Sequence, residues 1–401
     1  MNHELIDFAI IILFSLAAAL GVGRLRQPPI LGFILAGLLL GPSVLGLVED
    51  REQIEVLAEL GVLMLLFLIG VEIPTTRFHR VWKPALSVAT LQALLSIAIT
   101  SLISFLFHVP LATAIVFGFV ITLSSTAVVV KMLTTMRITA SPVGQIIVGI
   151  LVAQDLMFIP MMLIVNMLSA TDISIYDVAR VLLAMALMAV ILFILNRKGH
   201  IRLPLAHATS KNRELVVLRA AALCFGSAAL SGIVGFSPAY GAFLMGIIVA
   251  HSDERKHVLN ELMPIETLLM MMFFLSIGLL IDIDYIVRHW RTVALALFVV
   301  VMLKTLLNIF LLRVVGEPWH HALVAGFLLA QIGEFSFLIS KAAQAGQLIT
   351  DEQASLIITT AALSLAITPL WLTCGRYGMR LFLEADRLRN ILLTSRKHRD
   401  P

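Results

Sequence analysis

The sequence predicts an all-α polytopic membrane protein of about thirteen transmembrane helices, built as two inverted repeats with two helices that break in mid-membrane. Three observations predict it. Hydrophobic residues make up 60% of the 401 and charged residues 13%, with a mean hydropathy of +1.00, a balance that no soluble surface of this size sustains. Short motifs recur about 209 residues apart. Two apolar spans are interrupted by polar runs at equivalent places.

With about 20 apolar residues as the measure of a span, segments fall at 5–23, 30–48, 54–73, 84–107, 111–134, 141–168, 177–195, 213–234, 238–251, 264–282, 290–313, 318–345 and 352–375. The first follows Met-Asn-His-Glu, which lacks the positive flank of a cleaved signal and reads as an uncleaved span. The expected organisation is one transmembrane domain over 1–385, with repeats at about 5–168 and 213–375, a linking helix at 177–195 and a basic cytoplasmic tail over 386–401. Cys224 and Cys374 lie in apolar segments without metal-ligand or disulfide spacing, so both read as packing residues. No cofactor is expected.

Lysines and arginines set the orientation. Fifteen of them, from Arg24 and Arg26 to Arg313, fall in one set of alternate loops, and seven more follow from Arg376. The other set carries Arg51, Arg288 and Arg291, with Lys341 at its margin. By the positive-inside rule the N-terminus lies outside and the C-terminus in the cytoplasm. The net charge of +4 therefore reflects topology and does not point to nucleic acid.

The repeat is legible in small residues. Gly32-Phe-Ile-Leu-Ala-Gly37 in the second span matches Gly241-Ala-Phe-Leu-Met-Gly246 in the ninth, 209 residues later. Met64-Leu-Leu-Phe-Leu-Ile-Gly70 in the third matches Met271-Met-Phe-Phe-Leu-Ser-Ile-Gly278 in the tenth, with one residue inserted. Pro160 in the sixth is echoed by Pro369 in the thirteenth. Corresponding spans are seven apart, an odd number, so the halves are inverted; secondary transporters are built this way, with the substrate near the midplane.

Such sites use helices that break in the membrane. The fifth span reads Leu123-Ser124-Ser125-Thr126 between apolar stretches, and the twelfth reads Ala330-Gln331-Ile-Gly333-Glu334-Phe-Ser336. Taken alone, the first run would equally serve close helix packing. The matching run in the other repeat favours a crossing whose orphan backbone groups balance charge.

Charged residues deep in their spans are Asp155, Lys304 and Glu334; Glu59 and Glu72 lie at the ends of the third span, and Arg219 is placed to reach the surface along its stem. A carboxylate at membrane depth marks an ion or proton path. Burial favours the protonated acid, and a neighbouring ammonium or bound metal ion favours the carboxylate. Asp155 is thus the expected carrier of a proton or a transported monovalent cation, with Ser125, Thr126 and Gln154 as oxygen ligands beside it. Lys304 is assigned to Asp155 as its charge partner, with Glu334 as the alternative. Glu334, Gln331 and Ser124 are assigned to compensating the half-helix dipoles of the crossing.

These residues resemble the membrane domain of the monovalent cation:proton antiporter-2 family, most of all its Kef-type potassium:proton branch. The resemblance rests on Leu31-Gly-Phe-Ile-Leu-Ala-Gly-Leu-Leu-Leu-Gly-Pro42, Glu59 through Glu72, Leu123-Ser-Ser-Thr-Ala-Val, Gln154-Asp155, Phe274-Leu-Ser-Ile-Gly-Leu, Lys304 and Gln331-Ile-Gly-Glu-Phe-Ser336. It implies a thirteen-helix antiporter fold, a six-helix core moving against a dimerisation domain, a homodimer in the cell inner membrane and an ion-carrying aspartate at Asp155. Kef-type proteins usually continue into a nucleotide-binding regulatory domain; no Gly-x-Gly-x-x-Gly unit follows the last span in this sequence, which reads either as a truncated chain or as a member without that gate. Many sodium-exchanging relatives carry two adjacent acids where this chain has Gln154-Asp155. The stretch Asp253–Glu261 lies where the Kef branch places a regulatory acidic loop, and reads equally as a solvated loop.

The resulting expectation is a secondary antiporter exchanging potassium, with sodium as a second cation, for protons across the lipid bilayer. A ligand-gated cation efflux channel is the alternative, since a polar crossing also serves as a pore. An intramembrane enzyme is not expected: no Gly-x-Gly-Asp pair and no His-Glu-x-x-His is present.

Overall fold

The structure, a computed structural model, describes residues 2–397 apart from 25–26, 48–51, 73–81, 140, 170–175, 177–178, 180–181, 185, 189, 192–193, 195–211 and 235. Much of the expected linking helix lies outside the described residues, as do the end of the tail and several basic loops. The described positions between 176 and 194 are helical.

Fifteen helices stand among the described residues: α1 (Asn2–Arg24), α2 (Pro29–Leu40), α3 (Glu52–Glu72), α4 (Trp82–Phe107), α5 (Leu111–Thr122), α6 (Thr126–Thr135), α7 (Pro142–Leu168), α8 (Arg213–Ile233), α9 (Pro238–Ala250), α10 (Arg255–Leu279), α11 (Ile283–Arg288), α12 (Trp290–Val314), α13 (Trp319–Leu328), α14 (Phe335–Ala345) and α15 (Asp351–Lys397). Local chemistry starts several of them. Pro29, Pro142 and Pro238 occupy first turns, where a missing N–H costs nothing. The side chains of Ser125, Ser141 and Asn212 cap α6, α7 and α8 by accepting from Val128 N, Gly144 N and Glu214 N.

The two expected breaks are present. The span predicted at 111–134 is α5 and α6 with Leu123-Ser124-Ser125 between them, and the span at 318–345 is α13 and α14 with 329–334 between them. Two differences concern length. The tenth span begins at Arg255, so most of Asp253–Glu261 is the first turns of α10; Pro264 sits inside that helix instead of starting it. The last helix runs on to Lys397.

The helices form two bodies. In the first, α3 packs on α9 and α10, α2 on α1 and α10, and α8 on α9. In the second, α4 packs on α5 and α7, α12 on α13 and α15, and α14 on α5, α7 and α15. We call these the scaffold and the core.

The scaffold shows why the repeated glycines are glycines. A Cβ built on Gly37 would lie 2.9 Å from the Gly278 Cα, and one on Gly70 would lie 2.9 Å from the Gly246 Cα. The converse distances are 2.8 and 3.0 Å. Gly37 is the repeat counterpart of Gly246, and Gly70 of Gly278. Each repeat therefore lends its first glycine helix to the second glycine helix of the other, and the two contacts are copies related by the inverted symmetry. Close helix approach of this kind gains dispersion contact where the hydrophobic effect is absent.

Candidate cation site at the crossing

The breaks of α5–α6 and α13–α14 meet, and their backbone groups satisfy one another. Gly333 N donates to Leu123 O at 3.0 Å, Ser124 Oγ donates to Leu329 O at 3.0 Å and Gln331 Nε2 reaches Ser125 O at 3.4 Å. Further bonds tie the crossing to its surroundings: Ser336 Oγ to Val120 O at 3.2 Å, and Ile332 N to Ser364 Oγ on α15 at 3.0 Å. A side chain at Gly333 would strike the Ser124 carbonyl group, with its carbon and oxygen both 2.6 Å from an added Cβ.

Asp155 lies on α7 against this crossing and is buried. Its Oδ2 accepts from the Thr126 hydroxyl at 2.9 Å. Its Oδ1 is buried without a hydrogen-bond partner. Ser125 and Gln331 stand on the neighbouring backbone, and the Gln331 Oε1 is likewise buried and without a hydrogen-bond partner. Glu334 immediately precedes α14, where a negative charge meets the positive end of a helix dipole, and it is close enough to Asp155 for the two charges to interact.

Two expected roles change. Lys304 is fully buried, yet its ammonium donates to Leu123 O at 2.6 Å and approaches Thr122 O at 3.4 Å. No ion pair joins it to Asp155 among the described residues. The C-terminal end of a broken helix presents partly negative carbonyls, and these solvate an ammonium without a carboxylate. Gln154, expected as a ligand, has its side chain committed elsewhere: Oε1 accepts from Ser124 N at 3.0 Å and Nε2 donates to Gln92 Oε1 at 2.8 Å. Arg219 also differs from expectation. It stays buried, paired with Glu254, the residue just ahead of the early start of α10.

Gln92 is a site residue that the sequence reading did not single out. The signal was available, since a lone carboxamide in the apolar run Leu91-Gln92-Ala93 needs partners at membrane depth. Above Asp155 on α7, Phe158 stacks on Phe335 with ring centroids 4.5 Å apart. A cavity of about 590 Å³ opens between scaffold and core, lined among others by Ile54, Met162, Phe273 and Phe337. At its rim Lys341 Nζ lies 3.5 Å from Glu59 Oε1, joining the two bodies.

Inverted repeats, two broken helices that meet, and a buried aspartate on a third helix beside their crossing are the features of a transmembrane cation:proton antiporter. A family model described as sodium/hydrogen exchanger, transmembrane, matches residues 9–374, and the chain belongs to that family. It is 42% identical over 375 residues to the iron transporter MagA of Paramagnetospirillum magneticum, covering 93% of this chain and 86% of that protein. K(+) efflux antiporters 5 and 6 of Arabidopsis thaliana are 30% identical over 370 residues, covering 91% of this chain but 65% and 62% of theirs. The names of the K(+) efflux antiporters agree with the Kef-type resemblance of the motifs. The fold is that of the sodium proton antiporter MjNhaP1 from Methanocaldococcus jannaschii, with a TM-score of 0.73 over 94% of this chain and 98% of that one at 17% identity.

Proposed function

We propose that the chain exchanges one monovalent cation for a proton by alternating access, with Asp155 carrying either. The observation that supports this most is the state of its carboxylate: one oxygen rests on Thr126, and the other is buried without a hydrogen-bond partner where two broken helices meet. A metal ion there is held by Asp155, the Thr126 hydroxyl, Ser125 and the Gln331 oxygen, a set of hard oxygens suited to an alkali cation. A single ligating carboxylate, with the neutral Gln154 beside it where two adjacent acids could stand, is a weaker-field site, which favours potassium, the larger and more easily dehydrated ion, with sodium accepted second. The Kef-type relatives point the same way. The loop charges favour an N-terminus outside and a C-terminus in the cytoplasm, and the resemblance favours a homodimer.

The test is dye-monitored proton movement in proteoliposomes with potassium, sodium, lithium or rubidium as the only cation. Potassium-driven proton flux that Asp155→Asn removes is expected. Equal flux with Asp155→Asn, or strict sodium dependence, overturns the corresponding part.

The name of the bacterial relative raises iron as a second cargo. Among the described residues no group of three His, Cys, Asp or Glu gathers as a metal site, and the crossing offers oxygen ligands. Ferrous iron in the same vesicles, read by a lumenal chelating dye, separates the two cargoes.

A further inference from the structure

The gap between α5 and α6 is bridged from outside by two side chains. Thr122 ends α5, and its carbonyl has lost the helical donor it would have had. Ser124 lies inside the gap, and its N–H has lost its helical acceptor. Gln92 Nε2 donates to Thr122 O at 3.2 Å, and Gln154 Oε1 accepts from Ser124 N at 3.0 Å. The two carboxamides then meet: Gln154 Nε2 donates to Gln92 Oε1 at 2.8 Å. The result is an unbroken relay, carbonyl to Gln92 to Gln154 to N–H, across a two-residue step of backbone. Both side chains are fully buried.

The polarity of the relay is dictated by the backbone. A carboxamide can be turned either way, but Gln154 must present oxygen to an N–H, which aims its NH₂ at Gln92. Gln92 must then present oxygen to Gln154 and its own NH₂ to the Thr122 carbonyl. Reversing either amide breaks two bonds at membrane depth, where no water replaces them. The two residues act as one rigid bridge.

That bridge stands next to the carrier. Gln154 precedes Asp155 on α7, and Ser124 is two residues before Thr126, whose hydroxyl holds Asp155 Oδ2. We propose that Gln92 is a positioning residue that fixes the Thr126 hydroxyl relative to the Asp155 carboxylate, and so sets the affinity for the cation. It touches no transported ion. The inference rests on Asp155 as the carrier. It also gives Gln154 a different task from a ligand: neutral at the carrier's side, it holds the break shut.

Two variants in proteoliposomes test this. Gln92→Leu keeps the volume and removes both bonds. The apparent KM for potassium should rise at least tenfold with kcat within threefold, and the spread of KM across sodium, potassium and rubidium should narrow as the ligands loosen. Gln92→Glu keeps an acceptor for Gln154, but only its protonated form donates to Thr122 O. The charged groups around the crossing are Lys304 on α12, which shares that carbonyl, Asp155 on α7 and Glu334 ahead of α14. All are present in Gln92→Leu, so the ratio of the two variants' KM isolates the new carboxyl. That ratio should fall as pH is lowered. A parental KM in Gln92→Leu, or equal losses of kcat and kcat/KM, overturns the positioning role. If Gln92→Leu does not fold, Gln92→Glu decides alone: a KM that tracks the parent's at every pH overturns the proposal, and one that approaches it only at low pH supports it. Asp155→Asn run alongside separates the two levels, since exchange surviving in that variant refutes the carrier and not merely its support.

Discussion

Scaffold and core are both helical and both buried in the same membrane, yet they are held together by different means. The scaffold joins its repeats by backbone contact at Gly37–Gly278 and Gly70–Gly246, with no polar side chain between them. The core joins its repeats by hydrogen bonds between broken helix ends, to which Lys304 contributes, while Gln92 and Gln154 brace the first break from within its own repeat. Close packing of helix backbones holds the first, with Arg255 on α10 donating to the Val71 and Glu72 carbonyls of α3 at its edge. Polar satisfaction holds the second, and at the crossing it is incomplete, at the Asp155 Oδ1 and the Gln331 Oε1. A moving ion requires the incomplete body, and a fixed frame requires the other.

Asp155→Asn is the strongest way to separate the two. Exchange should vanish while the thermal unfolding midpoint of the purified protein changes little, since Thr126 can still donate to the amide oxygen. A variant that fails to fold would show that the carboxylate also serves as structure. Next in size are substitutions in the scaffold. Gly37→Leu and Gly246→Leu, at counterpart positions of the two repeats, should each cost about 1–3 kcal/mol or more through overpacking, seen as lost yield of folded protein. Because the contacts are symmetric copies, the two losses should match; a large difference between them would break the equivalence of the repeats.

Lys304→Met is expected to fall between scaffold damage and silence. Removing the ammonium strips one partner from the Leu123 carbonyl, which Gly333 N still serves, at a cost of about 1–3 kcal/mol. Since Lys304 and Asp155 form no ion pair, the double variant with Asp155→Asn should unfold additively, within about 0.5 kcal/mol. Strong coupling in that cycle would restore the pairing that the charges alone suggested. The smallest effect belongs to the bridge between the bodies. Lys341→Ala removes a largely exposed ion pair with Glu59, worth at most about 1 kcal/mol, and high salt should erase the difference from the parent.

The frame of this molecule was readable from sequence because hydropathy and spaced glycines are properties of residue type. Gly37 and Gly246 announced a repeat before any contact was known, and the runs at Ser124–Thr126 and Gln331–Ser336 announced the breaks. Asp155 stood out for the same reason, as a charge where lipid forbids one. The partners did not stand out. Lys304 is satisfied by backbone carbonyls, which every residue possesses and no sequence displays. Gln92 was visible as a polar residue, but that it meets Gln154 depends on how α4 lies against α7. Arg219 was misjudged because the tenth span was set at 264, which hid the earlier helix start beside Glu254.

The bonds at Lys304 also bear on membrane voltage. An ammonium held by Leu123 O and Thr122 O makes no ion pair with Asp155 in this structure, so its charge need not enter the transport count. With Asp155 as carrier, the loaded site then holds the same charge whether a proton or a monovalent cation sits on it. A membrane potential acts at about 2.3 kcal/mol per net charge per 100 mV, and it finds none to act on over a full cycle. Such an exchanger is driven by concentration gradients alone and keeps its rate when the cell depolarises.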